Sequence, residues 1–202
     1  MAYRATARTE ARRLEARQRL LDAARSLLRE GGFAAVQVAA VADRAGLATG
    51  SVYRHVESKA ALCVELFDQA SGREVERMAN TLAGGGVAAI AAAIHGWCER
   101  AQAGRVQAWA LLGEPVGPEV GAARLRFRAR YAEVLQQAIE AAIEAQELPQ
   151  QDARVAAAGV VGALGETVLG PHGDPSPEAV VAFALRALGA SPDSISAQEG
   201  SP

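Results

Sequence analysis

The stretch from Val38 to Leu62 reads VAAVADRAGLATGSVYRHVESKAAL and determines how the N-terminal part of the chain folds. Apolar residues recur at three- and four-residue steps from Val38 to Ala45, which predicts a short amphipathic helix that ends at Gly46. A tight turn follows, and another short helix is predicted from Ser51 to Val56. Two short helices joined by a glycine-containing turn are typical of a helix-turn-helix.

The second of these helices carries polar side chains suited to nucleic acid. Val52 and Val56 lie four residues apart and are predicted to face inward. Hydroxyl and ring N–H groups can donate to phosphate oxygens, and a guanidinium can donate two hydrogen bonds to a guanine edge. Ser58 is a good N-cap for the next helix, and Lys59 falls in its first turn, where backbone N–H groups also attract phosphate. The side chains expected to point outward are Thr49, Ser51, Tyr53, Arg54 and His55.

The pattern on either side predicts an all-α chain of about nine helices, with no strand. A polar arm is expected over residues 1–12 and a helix from about Glu10 to the pair Gly31 and Gly32. The helix after Ser58 should continue to about Leu82, followed by a glycine-rich linker. Further helices are predicted over residues 87–103, 105–113, 119–146, 151–169 and 178–188. We therefore expect a helix-turn-helix domain over 1–57, a connecting helix over 58–82, a ligand-binding and dimerisation domain over 83–190, and a disordered tail over 191–202.

Four segments of the N-terminal region resemble the signature of the TetR/AcrR family of regulators. They are RQRLLDAA (17–24), EGGF (30–33), VADRAGL (41–47) and GSVYRHVESKAAL (50–62). The resemblance implies a two-domain, all-helical homodimer that binds a palindromic operator in double-stranded DNA. It also implies contacts to phosphates and bases from the outward side chains named above, a phosphate contact from Lys59, and a place near the flank of the DNA for Arg17.

Two positions depart from the family pattern. Gln37 stands where the family usually has Ser or Thr, and Ala48 stands where it usually has Ser. Both changes remove a short capping hydroxyl. We expect the Gln37 amide to reach a phosphate instead, and Thr49 to replace the missing cap.

The charge distribution is consistent with one end of the chain meeting a polyanion. Residues 1–60 carry 11 basic and 6 acidic side chains, whereas residues 61–202 carry 10 basic and 17 acidic ones. A solvated, arginine-rich helix would explain this asymmetry equally well. No apolar run reaches the roughly 20 residues needed to span a bilayer, and no signal peptide is recognised, so a cytoplasmic protein without membrane contact is expected.

The second half lacks the residue sets of an enzyme. Its histidines are scattered, and His95 with Cys98 would supply only two metal ligands, so no catalytic residue, metal or cofactor is predicted. Most aromatic residues of this half fall in helices that would enclose a ligand, although core packing would account for them too. A charge at Glu166 in an apolar helix would either meet the polar end of a ligand or face solvent. The predicted ligand-binding residues are Trp97, Trp109, Phe127, Tyr131 and Glu166.

Taken together, the sequence predicts a homodimeric repressor released from its operator by a small apolar or amphipathic effector. The small-residue helix over 156–169 and the apolar helix over 180–188 are expected to form a four-helix interface with a second copy. Core packing within one chain is the alternative for both. An effector-independent DNA binder, an activator and a helical protein–protein adaptor are the remaining interpretations.

Overall fold

A computed structural model describes residues 7–169 and 175–191, and every regular element in these ranges is helical. The predicted arm before Ala7, the loop containing His172 and the tail beyond Ser191 lie outside the described residues. The α-helices are α1 (Ala7–Ala35), α2 (Val38–Ala45), α3 (Lys59–Leu82), α4 (Gly86–Ala103), α5 (Arg105–Leu112), α6 (Pro118–Glu144), α7 (Ala153–Leu169) and α8 (Pro177–Ala187). The all-α prediction is confirmed for these residues.

The second helix of the helix-turn-helix differs from its prediction. Residues Thr49–Arg54 form a 3₁₀ helix rather than an α-helix from Ser51 to Val56. Its backbone bonds span three residues, as from the Ser51 N–H to the Ala48 carbonyl at 2.8 Å. The hydroxyl of Ser51 also donates to that carbonyl, at 2.7 Å. Local bonding of this kind, in a segment too short for a stable α-helix, favours the tighter form.

Helix α1 begins earlier than predicted, because residues 7–12 of the expected arm are already helical. The expected break at the glycine pair is confirmed. Gly31 and Gly32 have non-helical backbone angles, and φ of Gly32 is +69°. A β-carbon at position 32 would also lie 2.5 Å from Oε2 of Glu114. Only glycine fits both the left-handed backbone and the close approach of this carboxylate.

Two apolar cores meet at the connecting helix. The N-terminal core contains the buried faces of α1, α2 and the start of α3, and it takes in Ala110 and Leu111 of α5. The second core is formed by α4, α6, α7 and α8 with the end of α3. Phe67 of α3 is fully buried and its ring stands edge-on to Phe127 of α6, 6.1 Å between centroids. Phe127 packs on both cores, so this pair lies at the junction of the domains.

The last two helices have one covered and one uncovered face. Ala157, Val160 and Leu164 of α7 are buried in the second core. Val155 on the opposite face is 62% exposed, and no atom lies within 4 Å of a β-carbon built at Gly159 or Gly162. On α8, Phe183 is likewise exposed, at 52%. Core packing therefore explains only the inner face of each helix.

Candidate functional site

The helix-turn-helix presents a polar surface over a closed apolar interior. Val52 and Val56 are buried, as predicted from their spacing. Thr49, Tyr53 and Arg54 are exposed around them. Tyr53 therefore contributes little to the core, which is the role that its aromatic ring would otherwise suggest. Its hydroxyl and the Arg54 guanidinium are free to meet a partner from solvent.

His55 sits at the border between this surface and the interior. It is half-buried, and its Nδ1 atom has no hydrogen-bond partner among the described residues. Burial lowers the pKa of His55, and the charges of Arg13, Arg17 and Arg54 lower it further. The positive charges of three guanidinium groups from α1 and the 3₁₀ helix therefore act on this imidazole. Such a positive surface attracts an anion.

Four other predicted DNA-binding residues are already engaged within the chain. The Ser51 hydroxyl bonds Ala48, as described above. The Lys59 ammonium donates to Oε1 of Gln37 at 2.9 Å, and Nε2 of Gln37 donates to the Ala34 carbonyl at 2.8 Å. Arg17 donates to both carboxylate oxygens of Glu65 at 2.8 Å. Gln37 thus holds Lys59 in place, and Arg17 ties α1 to α3.

The predicted capping pattern is confirmed in part. Neither Gln37 nor Ala48 makes a side-chain cap hydrogen bond at the helix that it precedes. The expectation that Thr49 takes over the missing cap is wrong, because its hydroxyl forms no hydrogen bond with another described residue. Ser58 does cap α3, since its hydroxyl accepts from the Ala61 N–H at 3.0 Å.

The predicted ligand-binding residues do not share one cavity. A cavity of about 460 Å³ opens between α1, α3, α4, α5 and α6, and Trp97 and Phe127 line it. Tyr131 lines a smaller adjoining cavity of about 30 Å³ on the other side of the same two rings. Trp109 is half-exposed and borders a separate cleft. Glu166 is exposed on α7, in line with the uncovered face described above.

Sequence reasoning missed the charged side chains around the larger cavity. Its lining includes four arginines and one carboxylate, that of Glu74, from the described residues. The sequence spacing could have indicated part of this charged cluster. Arg73 and Arg77 are one helical turn apart, and Arg100 lies one turn after Trp97. Arg29 comes from α1 and only the tertiary structure brings it here. The arginines are Arg29, Arg73, Arg77 and Arg100.

His95 and Cys98, two potential metal ligands in the sequence, have surroundings that the packing of the helices explains. Nε2 of His95 lies 3.2 Å from a Glu178 carboxylate oxygen, which links α4 to α8. The Cys98 thiol is buried, and burial raises its pKa to about 11. No group of three or more potential metal ligands occurs in the part of the chain that the structure describes. Within the same part, no helix is long and apolar enough to cross a bilayer.

The fold and this surface define a class of protein, namely a helix-turn-helix domain joined to a helical bundle with an internal cavity. Residues 20–66 match the family model for bacterial regulatory proteins of the tetR family. Over this segment the chain is similar to the TetR family of regulators.

Individual relatives and solved structures are also similar to this chain. The transcriptional repressor KstR of Mycolicibacterium smegmatis is 48% identical over 70 residues, 35% of this chain and 32% of the relative. The matched segment thus spans about a third of that relative's length. FadR of Bacillus subtilis in complex with stearoyl-CoA superposes with a TM-score of 0.67 and 22% identity, covering 85% of this chain and 95% of that one. Reduced NemR of E. coli gives a TM-score of 0.74 at 18% identity, with 87% and 99% covered. These two structures show the shared fold.

Proposed function

We propose that the protein is a homodimeric transcriptional repressor that binds a palindromic operator and is released by a small amphipathic effector. The exposed set Thr49, Tyr53 and Arg54 over the buried Val52 is the observation that carries the proposal. Side chains that donate hydrogen bonds and have no role in the core fit a surface built to contact phosphates and base edges.

The engaged side chains have a different part in this proposal. Lys59 keeps two further N–H donors beside its bond to Gln37, so it can bind a phosphate without leaving that partner. Arg17 already gives two bonds to Glu65 and acts by adding positive potential near His55. Ser51 would have to give up its bond to Ala48 in order to donate to DNA.

A palindromic operator requires two copies of this surface. The uncovered stripes of α7 and α8, including Val155 and Phe183, would pair with the same stripes of a second copy in a four-helix arrangement. The open positions Gly159 and Gly162 would let the helices approach closely. The two 3₁₀ helices would then enter successive major grooves about 34 Å apart.

Release would follow from the position of the cavity between the domains. Its lining takes residues from α3 and α5, and both helices also touch the N-terminal core. The loop after α5 places Glu114 on that domain, where its carboxylate accepts from the N–H groups of Phe33 and Ala34 at 2.7 and 2.8 Å. An effector that binds better when α3 or α5 is displaced would therefore change the spacing of the two reading surfaces.

Selection of bound fragments from random DNA, followed by gel shift of the recovered site, tests the operator claim. A palindromic consensus is expected. Tyr53→Phe and Lys59→Ala should weaken binding to specific and random DNA alike, whereas Arg54→Ala should mainly reduce the preference for the consensus. Arg130→Ala, at an exposed arginine on α6, is the matched control and should bind normally.

Two results would contradict the proposal. Equal affinity of the parent protein for consensus and random DNA would exclude sequence-specific recognition. A monomer in sedimentation experiments at the concentrations that saturate the operator would exclude the symmetric complex. Val155→Arg should distinguish loss of dimerisation from loss of DNA recognition, since it should break the dimer while each chain still folds.

A further inference from the structure

The rim of the interdomain cavity is positively charged. The guanidinium groups of Arg29, Arg73, Arg77 and Arg100 come from three different helices. Glu74, the one carboxylate on the described lining, is already paired with Arg77 and, at 3.0 Å, with Arg100. Positive charge therefore remains in excess at the entrance.

Two of these arginines are available to a ligand. Neither Arg29 nor Arg73 forms a hydrogen bond or an ion pair with another residue of the described segments. Single surface arginines are ordinary, but these two line the same cavity, whose other lining residues include the apolar Trp97. A guanidinium binds a carboxylate or phosphate through paired, charge-assisted hydrogen bonds.

The inner wall is apolar and ends at a polar atom without a partner. Trp97, Leu112 and Phe127 separate the large cavity from the small one that Tyr131 lines. Tyr131 is 2% exposed, and its hydroxyl has no hydrogen-bond partner in the described part of the chain. Burial raises the pKa of Tyr131, and the Glu74 carboxylate raises it further. A buried hydroxyl of this kind requires an acceptor, which a ligand oxygen would provide.

We propose that the cavity binds an amphipathic anion. The acidic head group lies at the rim and is bound by Arg73, Arg77 and Arg29. The apolar body packs on Trp97 and Phe127, and an oxygen of the ligand accepts from the Tyr131 hydroxyl once Phe127 turns aside. The volume of about 460 Å³ is within the usual size of small-molecule sites, roughly 300–1,000 Å³. This assignment rests on the proposed function, because the anion would be the effector of the repressor.

The position of the head group gives it a direct effect on the DNA-binding domain. Arg29 belongs to α1, whereas Arg73 and Arg77 belong to the connecting helix. One anion bound by all three would link these helices and fix their relative placement. An effector lacking the charge would fill the apolar wall without making this link.

Isothermal titration of the full-length chain with three probes tests the assignment. The probes are decanoate, decanoyl-CoA and uncharged 1-decanol. Either anion should bind at least about tenfold more tightly than the alcohol, since hydrogen bonds to a charged group contribute about 1.5–3 kcal/mol and tenfold in affinity corresponds to about 1.4 kcal/mol. Tighter binding of the acid identifies a carboxylate head group, and tighter binding of the thioester identifies phosphates. Equal affinity for decanoate, decanoyl-CoA and decanol would overturn the proposal, as would no binding of either anion.

Variants locate the head group. The double variant Arg73→Gln with Arg77→Gln should weaken anion binding at least about tenfold and leave decanol unaffected. Arg130→Gln, an exposed arginine outside the cavity, should change neither affinity. Tyr131→Phe should weaken anion binding by several-fold while the protein stays folded, as checked by circular dichroism. If the double variant binds the anions as tightly as Arg130→Gln does, the rim is not the binding site.

Gel shift of the ligand-free protein distinguishes the two proposals. If the parent chain binds a specific operator but binds neither anion, the proposed ligand site is overturned and the proposed repressor function is unaffected. Anion binding that depends on Arg73 and Arg77, without any specific DNA site, overturns the repressor assignment and leaves the ligand site standing.

Discussion

The two domains place their polar groups in opposite ways. In the helix-turn-helix, Tyr53 and Arg54 project into solvent over the buried Val52. In the bundle, Tyr131 is buried beside a cavity whose rim carries arginines. A closed core with exposed donors suits a rigid recognition surface, whereas an incompletely filled core with a charged entrance suits a small molecule. The same residue type, tyrosine, thus lies outside the core of one domain and inside the core of the other.

The largest expected effect comes from Phe67→Ala at the junction of the domains. Phe67 is fully buried against Phe127, so its removal should lower the free energy of unfolding by about 3–5 kcal/mol. Tyr53→Ala removes an aromatic ring from the exposed surface and should change stability by only about 0.5 kcal/mol. Urea denaturation measures both. Similar losses of stability for the two variants would contradict the conclusion that the Phe67 ring belongs to the core and the Tyr53 ring does not.

Several features of the N-terminal domain could be predicted from the sequence. Helix α2 has the predicted bounds, the break at Gly31 and Gly32 occurs where expected, and Ser58 caps α3. Local signals such as caps, glycines and period determine these features. The 3₁₀ form of the second short helix was not predicted, because it depends on backbone bonds that the apolar spacing of Val52 and Val56 does not specify.

For the helical bundle, the sequence predicted the order of the helices but only part of the set of residues that line the cavities. The helices follow the predicted order, and Trp97, Phe127 and Tyr131 do come together. Trp109 and Glu166 do not join them, since side-chain type alone does not tell which face of a helix meets a cavity. The position of Arg29 in the cavity could not be predicted from the sequence for a further reason. Its neighbours in the cavity are more than 40 positions away in sequence, and only packing between domains brings them together.

Glu114→Gln addresses the contact between the two domains. The amide would place N–H groups where the carboxylate now accepts from Phe33 and Ala34, so we expect a loss of about 1–3 kcal/mol in the free energy of unfolding. Glu133→Gln, at an exposed position of α6, is the control and should be near neutral. Thermal and urea unfolding provide the measurement. A loss no greater than that of the control would mean that the carboxylate does not hold the domains together.

Tyr131→Phe should have a smaller effect of the opposite sign. The substitution removes a hydroxyl that is buried without a partner, so stability should stay unchanged or rise by about 1 kcal/mol. Ser58→Ala provides a comparison in the N-terminal domain, because loss of that cap should cost about 1 kcal/mol. Destabilisation by Tyr131→Phe in the absence of ligand would show that the hydroxyl already has a partner.

The smallest effect concerns His55, whose unpartnered Nδ1 is the counterpart of the Tyr131 hydroxyl in the N-terminal domain. Burial and nearby arginines lower its pKa below the ordinary 6.5, so the folded protein binds fewer protons than the unfolded chain at mildly acidic pH. Its contribution to stability is therefore complete above about pH 6.5 and declines as the pH falls towards the folded-state pKa. His55→Gln should flatten the fall in stability just below this pH, as measured by urea denaturation over a series of pH values. An unchanged slope in the His55 variant would place the imidazole in water, along with the exposed side chains of the same surface.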